Sequence, residues 1–379
     1  MNQDIILEIS NNLNIKPKQV ETVLNLLSEG NTIPFIARYR KEATGALDEE
    51  VIRSINEVYE YQVNLLKRKE DVIRLIDEKG LLTDELKESI LKCQKLVEVE
   101  DLYRPYKEKK KTKATEAIKN GLEPLAKMMM SFPTTGNLEE MAKKFITENV
   151  ETVEKAVEGA KFIIAEWISD NASYRKWIRS FVFRNGILST KVKKDNKDEK
   201  KVYEMYYDYK EEVRNIKPHR ILAINRAEDE KVITVSIDVN QEEITAYLES
   251  KLIKNKNSFV VNEVIDAIKD SLKRLIYPSI EREIRSELTD KANVVAIENF
   301  GKNVESLLLQ PPMKEKVVLA FDPGYTNGCK LAVIDKTGKS SQDIMNIIKY
   351  LIVQAGVGAG KDDWDTYDKL NQMIITALE

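Results

Sequence analysis

Apolar positions recur at helical spacing along most of the chain. Two amphipathic segments, 3–13 and 17–29, come first, and Pro17 stands at the first position of the second segment, which suits a helix start. Over residues 48–78 apolar residues return at steps of three and four, which predicts one long helix that ends at Lys79-Gly80. We therefore expect a helical N-terminal region. Its first two helices and a short helix at Pro34 fit a helix-turn-helix-like unit, and an ordinary helical hairpin is the alternative.

The same spacing predicts helices through the middle of the chain. Residues 114–131 are expected to be helical with one break, and residues 138–184 to be helical throughout. A further helical region covers 259–288, and another helix covers 292–309. Because proline lacks a backbone N–H, Pro278 is expected to mark a kink or a boundary.

A different pattern, rich in β-branched residues, predicts strands. Residues 220–226 and 232–238 are expected to form a hairpin, with His219 in a structural role at the start of its first strand. The polar stretch 191–201 is expected to be a mobile connector. Residues 317–335 predict a buried strand, a glycine turn and a second strand.

One window, residues 28–50, combines helix punctuation with aromatic and cationic side chains. Pro34 presets the backbone for a short helix, which carries Phe35 and Tyr39 among cations. This combination suits phosphate contact and base stacking. The alternative is a helix whose apolar residues belong to the core and whose cations form a solvated rim. The candidate nucleic-acid-binding residues of the window are Arg38, Arg40 and Lys41.

A second cationic segment covers residues 101–115, where six cations face two acids. Pro105 disfavours a helical conformation at the preceding residue, so we expect an extended basic loop with two tyrosines. Each cation in contact with phosphate would add about one unit to the salt dependence of binding. The alternative is a solvated surface with no ligand. The candidate phosphate contacts are Arg104, Lys107, Lys109, Lys110, Lys111 and Lys113.

Composition limits the class of protein. With 379 residues and 42 % hydrophobic content, the chain is long enough for two or three domains. It has neither an apolar run of about 18 residues nor a secretory signal pattern, which predicts a soluble cytoplasmic protein without a membrane partner. Two cysteines and one histidine favour neither a disulfide framework nor a zinc site, and we expect no cofactor. The net charge of −3 means that a polyanion would have to bind local patches.

Asp322 is the candidate for enzymatic chemistry. It stands at a strand end beside a glycine turn, where a ribonuclease-H-like nuclease has its first Mg²⁺ ligand and an actin-like ATPase its phosphate loop. Either site needs more acids downstream. The remaining chain instead predicts a helix over 343–354, a loop over 356–361 and a final helix. The loop is not a Walker motif, because Ala355 and Asp362 occupy positions that need glycine and a hydroxyl.

Six blocks of the sequence, in order along the chain, carry a family resemblance. They are EGNTIPFIARYRKEATG (29–45), DLYRPYK (101–107), GLEPLA (121–126), HRILAINR (219–226), PSIEREIR (278–285) and FDPGYTNGCK (321–330). They closely resemble the bacterial Tex family of RNA-binding transcription accessory proteins. The resemblance implies an elongated, mostly helical region with a helix-turn-helix element, followed by a ribonuclease-H-like domain of the YqgF type. It covers about residues 1–339, so the chain looks like a truncated member without the family's OB-fold domain.

The expected fold is mainly α. Residues 1–200 form a helical region with the helix-turn-helix-like element, 201–316 a helical region with a short hairpin, 317–339 the start of the YqgF-type domain and 340–379 a tail of unassigned character. We expect a non-enzymatic nucleic-acid-binding protein whose partners are RNA, DNA as a second candidate, and the transcription or translation machinery. No residue is expected to be catalytic or to bind a metal. The alternatives are a metal-dependent nuclease that uses Asp322 and a helical scaffold that binds proteins.

Overall fold

Helices make up most of the chain, as the apolar spacing predicts. The computed structural model describes residues 3–109, 111–195, 198–311, 315–322, 330–337 and 339. The chain divides into two units, residues 1–296 and 297–379.

The helices have the following bounds. They are α1 Gln3–Leu13, α2 Pro17–Ser28, α3 Ile33–Tyr39, α4 Lys41–Thr44, α5 Glu49–Asp77, α6 Asp84–Lys92, α7 Leu96–Tyr103, α8 Lys113–Lys119, α9 Glu123–Met130, α10 Leu138–Lys143, α11 Val153–Asp170, α12 Ala172–Asn185, α13 Pro218–Asp229, α14 Gln241–Leu252, α15 Val261–Asp270 and α16 Tyr277–Leu308. Short 3-10 helices cover Arg104–Tyr106 and Glu204–Tyr206, and a π-helical segment covers Ser271–Ile276. The strands are β1 Ile187–Val192, β2 Lys210–Glu212, β3 Ile233–Asp238, β4 Val318–Asp322 and β5 Lys330–Ile334.

The predicted N-terminal helices over 3–13, 17–29 and 48–78 are confirmed by α1, α2 and α5. Helix α5 begins where the Asp48 side chain accepts a hydrogen bond from the Val51 amide at 2.8 Å. Helices α1, α2, α3 and α5 share one apolar core, whose buried members include Ile9, Val23 and Ile36. Because each such side chain gains about 1.5–3 kcal/mol from burial, this core orients α3 with one side inward and the other towards solvent.

The larger core lies between Ala114 and Ala292, and its buried residues come mainly from helices α8 to α16 and strands β1 and β3. A smaller cluster joins the second half of α5 to α6 and α7, with Val72, Ile90 and Val99 at its centre. The first unit therefore contains three apolar clusters that together involve all of its long helices.

The central sheet differs from the predicted hairpin. Strand β1 lies between β2 and β3, and pairs antiparallel with both; Ile187 opposes Glu212 on one side and Asp238 on the other. The prediction of a connector at 191–201 was wrong at its start, because Lys191 and Val192 belong to β1. Strand β3 was predicted correctly.

Residues 220–226, predicted as a strand, lie in helix α13, so this prediction was wrong. Pro218 stands at the helix start, and Ile221, Ile224 and Ala227 are buried at steps of three, which is a helical repeat. The density of β-branched residues concealed that period. His219 is exposed on this helix and does not open a strand.

Two further boundaries differ from the prediction. Residues 138–184 are not helical throughout, because Thr152 and Asn171 cap new helices with their side chains, at 3.2 Å from Lys155 N and 3.1 Å from Tyr174 N. The predicted break between residues 288 and 292 is absent, since α16 continues through both positions. Pro278 stands at the second position of α16, so it does mark a boundary between helical segments, which is one of the two predicted alternatives. It follows the π-helical segment, where the ordinary ladder of hydrogen bonds is already altered.

In the second unit β4 and β5 pair antiparallel, from Val318 opposite Ile334 to Asp322 opposite Lys330. This confirms the two predicted strands. The turn between them, the predicted helix over 343–354, the loop over 356–361 and the final helix lie outside the described residues.

Candidate nucleic-acid interface

The first group of predicted binding residues lies on helix α3 and the turn after it. Ile36 and Ala37 face the core, while Arg38, Arg40 and Lys41 are exposed. We call the exposed side the α3 surface and define it by Phe35, Arg38, Tyr39, Arg40 and Lys41. None of its three cations forms an ion pair with a residue in the described part of the chain.

Aromatic rings lie among these cations. The rings of Phe35 and Tyr39 are 5.2 Å apart between centroids and tilted by 42°. The guanidinium carbon of Arg40 lies 5.2 Å from the centre of the Phe35 ring. Since residues i and i+4 share one side of a helix, the sequence itself predicts that the two rings are neighbours.

The short helix α4, which begins at Lys41, is held in place by Gln19. The Gln19 side-chain amide donates to the Thr44 carbonyl at 2.8 Å and accepts from the Lys16 amide at 3.1 Å. Gly45 ends α4 with φ of +70°, in the left-handed region that favours glycine. These contacts join α4 to α2, so Lys41 has a defined position beside α3.

The second group of predicted residues was expected in an extended loop, and this was wrong for its first part. Arg104 has φ of −51° and ψ of −43°, which is helical, and it begins the short helix Arg104–Tyr106. A residue before proline normally avoids the helical conformation. Here tertiary contacts oppose that preference: Asp170 pairs with the Arg104 side chain at 3.4 Å, and Tyr103 and Tyr106 pack against the smaller cluster. Burial lowers the pKa of Arg104, and neighbouring Arg175 acts in the same direction.

Lys109 is fastened to helix α11. Its ammonium group pairs with Asp170 and lies 3.1 Å from Glu166 Oε2. The Thr112 hydroxyl donates to Glu166 Oε1 at 3.2 Å. Burial raises the pKa of Asp170 although Lys109 opposes this effect. In this structure Arg104 and Lys109 therefore hold the segment against α11.

The other predicted cations of the segment have different surroundings. Lys107 is exposed and forms no ion pair among the described residues, whereas exposed Lys111 pairs with Glu116 at 3.0 Å. The Lys113 ammonium lies 4.5 Å from the centre of the Phe162 ring, which the Arg274 guanidinium also approaches to 5.4 Å. Lys110 lies outside the described residues. We call Lys107, Lys111 and Lys113 the exposed loop cations.

A buried ion network is the feature that sequence reasoning missed. Arg175 on α12 has no exposed surface, and it donates to Asp101 Oδ1 at 2.7 Å and to Glu283 Oε1 at 2.6 Å. Arg179 donates to the same two carboxylates, at 2.8 Å each. The network connects α7, α12 and α16, and it joins the DLYRPYK and PSIEREIR blocks. The available signal was two arginines four positions apart, among the apolar residues of one helix, but it does not identify their partners.

The other chemical features are limited. A shallow cleft of about 380 Å³ lies beside Asp238, Asn240 and Tyr277. Burial raises the pKa of Tyr277, as do Glu281 and Asp238. Within the described ranges, no group of three or more His, Cys, Asp or Glu side chains is arranged to hold a metal ion. None of the helices described is both long and apolar enough to cross a bilayer.

Comparison with known families gives three consecutive matches. The family described as "Tex-like protein N-terminal domain" matches residues 3–77, "Tex central region-like" matches 134–300 and "Tex protein YqgF-like domain" matches 316–355. The last match continues beyond Lys339, where the resemblance drawn from the quoted blocks ends.

Curated relatives agree with these matches. The chain is 52 % identical over 335 residues to the uncharacterized protein YdcI of Bacillus subtilis, covering 88 % of this chain and 47 % of the relative. It is 34 % identical over 337 residues to the transcriptional accessory protein Tex of Neisseria gonorrhoeae, covering 87 % and 44 %. It is 31 % identical over 356 residues to human S1 RNA-binding domain-containing protein 1, covering 89 % and 35 %.

The chain thus spans about half the length, or less, of the curated relatives that it matches. The N-terminal, central and YqgF-like segments occur in the same order as in the sequence resemblance. The described strands β4 and β5 lie inside the YqgF-like match. On these grounds the chain belongs to the Tex family of transcription accessory proteins.

Proposed function

We propose that this chain is a non-enzymatic nucleic-acid-binding part of the transcription machinery, with RNA as its first ligand and DNA as its second. The observation that carries the proposal is the α3 surface, where Arg38, Arg40 and Lys41 are exposed without ion-pair partners among the described residues. Unpaired cations can take up phosphate without first giving up a carboxylate. The adjoining Phe35 and Tyr39 rings suit nucleotide contact better than a purely solvated rim does.

The basic segment is a second part of the proposed interface. The exposed loop cations Lys107, Lys111 and Lys113 are its main phosphate contacts, and Lys110 belongs to the same proposal. Arg104 and Lys109 are candidates of lower contribution, because they pair with the largely buried carboxylates of Asp170 and Glu166, whereas the pair between Lys111 and Glu116 is exposed to solvent. Since the net charge is −3, the attraction has to come from these local groups.

The names of two relatives support the choice of ligand and setting. The Neisseria gonorrhoeae relative is named as a transcriptional accessory protein, and the human relative is named for an S1 RNA-binding domain. This chain spans 44 % and 35 % of those proteins. We propose the transcription machinery as its first setting and the translation machinery as the second.

The test is a titration of labelled single-stranded and duplex RNA and DNA at two salt concentrations. One variant changes Arg38, Arg40 and Lys41 to Gln, and a second changes the exposed loop cations to Gln. A matched control changes Lys127, Lys143 and Lys155 to Gln, which removes three charges from exposed helix pairs elsewhere. We expect binding that weakens steeply with salt and weakens again in the first two variants only. Absence of binding at low salt contradicts the proposal.

The enzymatic alternative has its own test. A nuclease built on Asp322 requires Mg²⁺-dependent cleavage of the labelled RNA that Asp322→Ala abolishes. We expect the labelled RNA to stay uncleaved in all three reactions: wild type with Mg²⁺, wild type without Mg²⁺, and Asp322→Ala with Mg²⁺. Cleavage that depends on both Mg²⁺ and Asp322 contradicts the non-enzymatic part of the proposal.

A further inference from the structure

Tyr39 stands out among the tyrosines of the described chain. Its exposed fraction is 68 %, and the next most exposed tyrosine, Tyr61, reaches 46 %. The Tyr61 hydroxyl accepts a hydrogen bond from the Leu96 amide at 3.4 Å, whereas the Tyr39 hydroxyl has no partner among the described residues. The Tyr39 side chain therefore contributes little to the packing of the N-terminal core.

The ring of Tyr39 is supported from one side and open on the other parts of its surface. Phe35, one helical turn earlier, contacts it at 5.2 Å between centroids. Arg40 covers the face of Phe35, and no cation from the described part of the chain lies over the ring of Tyr39. Within this pair the face of Phe35 is therefore covered by Arg40, whereas the face of Tyr39 can accept a planar group.

The sequence neighbours of Tyr39 are cations. Arg38 precedes Tyr39, and Arg40 and Lys41 follow it, all exposed. An aromatic ring on a cationic surface is the arrangement that binds an unpaired base, because the base stacks on the ring while cations contact the flanking phosphates. A duplex keeps its base faces inside the stack and offers only phosphates to such a surface.

We propose that Tyr39 is a stacking residue for one unpaired base, so that the α3 surface binds single-stranded nucleic acid in preference to duplex. This inference rests on the proposed nucleic-acid binding and adds the class of ligand and the residue that selects it. The cations supply attraction for either form, and the ring supplies the discrimination between them.

The experiment measures binding of three labelled probes to the full chain: an oligouridylate of about 12 nucleotides, an RNA duplex of the same length, and an abasic oligodeoxynucleotide that keeps the phosphates. Tyr39→Ala is expected to weaken oligouridylate binding about tenfold, since one stacked base is lost. Duplex and abasic binding should stay unchanged. Tyr39→Phe and Tyr39→Trp should retain the affinity of the wild type, while Tyr39→Leu, apolar but without a π face, should match Tyr39→Ala.

Phe300→Ala is the matched control, because Phe300 is 70 % exposed and lies on α16. It should leave all three affinities unchanged. Equal loss for duplex and oligouridylate, or full binding by Tyr39→Leu, overturns the stacking role. If the Arg38, Arg40 and Lys41 variant loses binding while Tyr39→Ala does not, the stacking role fails and the proposed function stands. If the wild type binds none of the probes at low salt, both fail.

Discussion

Arg175 and Asp101 lie 74 positions apart in the sequence and form a buried ion pair, in which Arg175 Nε donates to Asp101 Oδ1 at 2.7 Å. Arg175 also donates to Ser279 Oγ at 3.0 Å and to Glu283. One guanidinium thereby connects the end of α7 to the start of α16. Its Nη1 is buried without a hydrogen-bond partner. The Arg175 guanidinium therefore fixes α7 against α16 although one of its nitrogens makes no hydrogen bond.

Arg175→Met is expected to lower the free energy of unfolding by about 3 kcal/mol, the lower end for breaking a buried ion pair, because Asp101 and Glu283 would each keep Arg179 as their partner. Urea denaturation of the wild type and the variant measures this difference. Arg53→Met is the control, since Arg53 and Glu49 form an exposed pair at 2.9 Å. A similar loss in both variants would show that burial does not determine the strength of the Arg175 pair.

The sequence was sufficient for features that depend on near neighbours. The caps at Asp48 and Thr83 and the period of α5 all follow from residues within a few positions of one another. Long-range pairing was not available in this way. Strand β1 was missed because its register with β3 depends on residues that are distant in the sequence, such as Ser236 opposite Ser189, and short strands carry little local signal.

The same limit applies to the candidate site. Arg38, Arg40 and Lys41 lie together because they fall within four positions at the junction of α3 and α4. A run of lysines, in contrast, looks uniform in sequence, and only the fold separates Lys109, which faces Glu166 and Asp170, from exposed Lys107. The carboxylates that make this difference come from α11, about 60 residues later.

Gly45→Ala is expected to destabilise the N-terminal helices by about 1–2 kcal/mol from its left-handed backbone alone. A Cβ there would also lie 2.7 Å from Gln19 Nε2, which holds Thr44. Gly30→Ala is the comparison, because Gly30 has φ of +87° with nothing within 4 Å of an added Cβ. Thermal unfolding should show a larger loss for Gly45→Ala. In a Gln19→Ala background the two losses should become similar, and an unchanged difference there would argue against the proposed clash.

Glu98 gives a pH dependence whose sign can be stated. Lys176 donates to its carboxylate at 2.8 Å, and the Gln94 amide donates at 3.0 Å. The bond from Lys176 is the main reason that the pKa of Glu98 lies below its ordinary value, although partial burial opposes it. The resulting stability is complete above the unfolded pKa of about 4.3 and is lost as pH falls through the lower folded pKa.

We therefore expect wild type to be more stable than Glu98→Gln near neutral pH, with the difference shrinking as pH falls below the unfolded pKa of about 4.3. Free energies of unfolding measured from neutral pH to below that pKa test this expectation. Lys176→Ala should reduce the same difference, since it removes the main donor to Glu98. A difference that grows towards low pH would give the linkage the opposite sign.

Lys107 and Lys109 separate a binding role from a structural role within one basic segment. Lys107 is exposed without an ion pair in the described chain, whereas Lys109 faces Glu166 and Asp170. Lys107→Gln should therefore reduce the slope of log affinity against log salt for the oligouridylate by about one. Lys109→Gln should change that slope much less and should lower thermal stability instead, because it removes the pairs with Glu166 and Asp170. If both variants reduce the slope equally, the segment must leave α11 when nucleic acid binds, with Lys109 exchanging its carboxylates for phosphate.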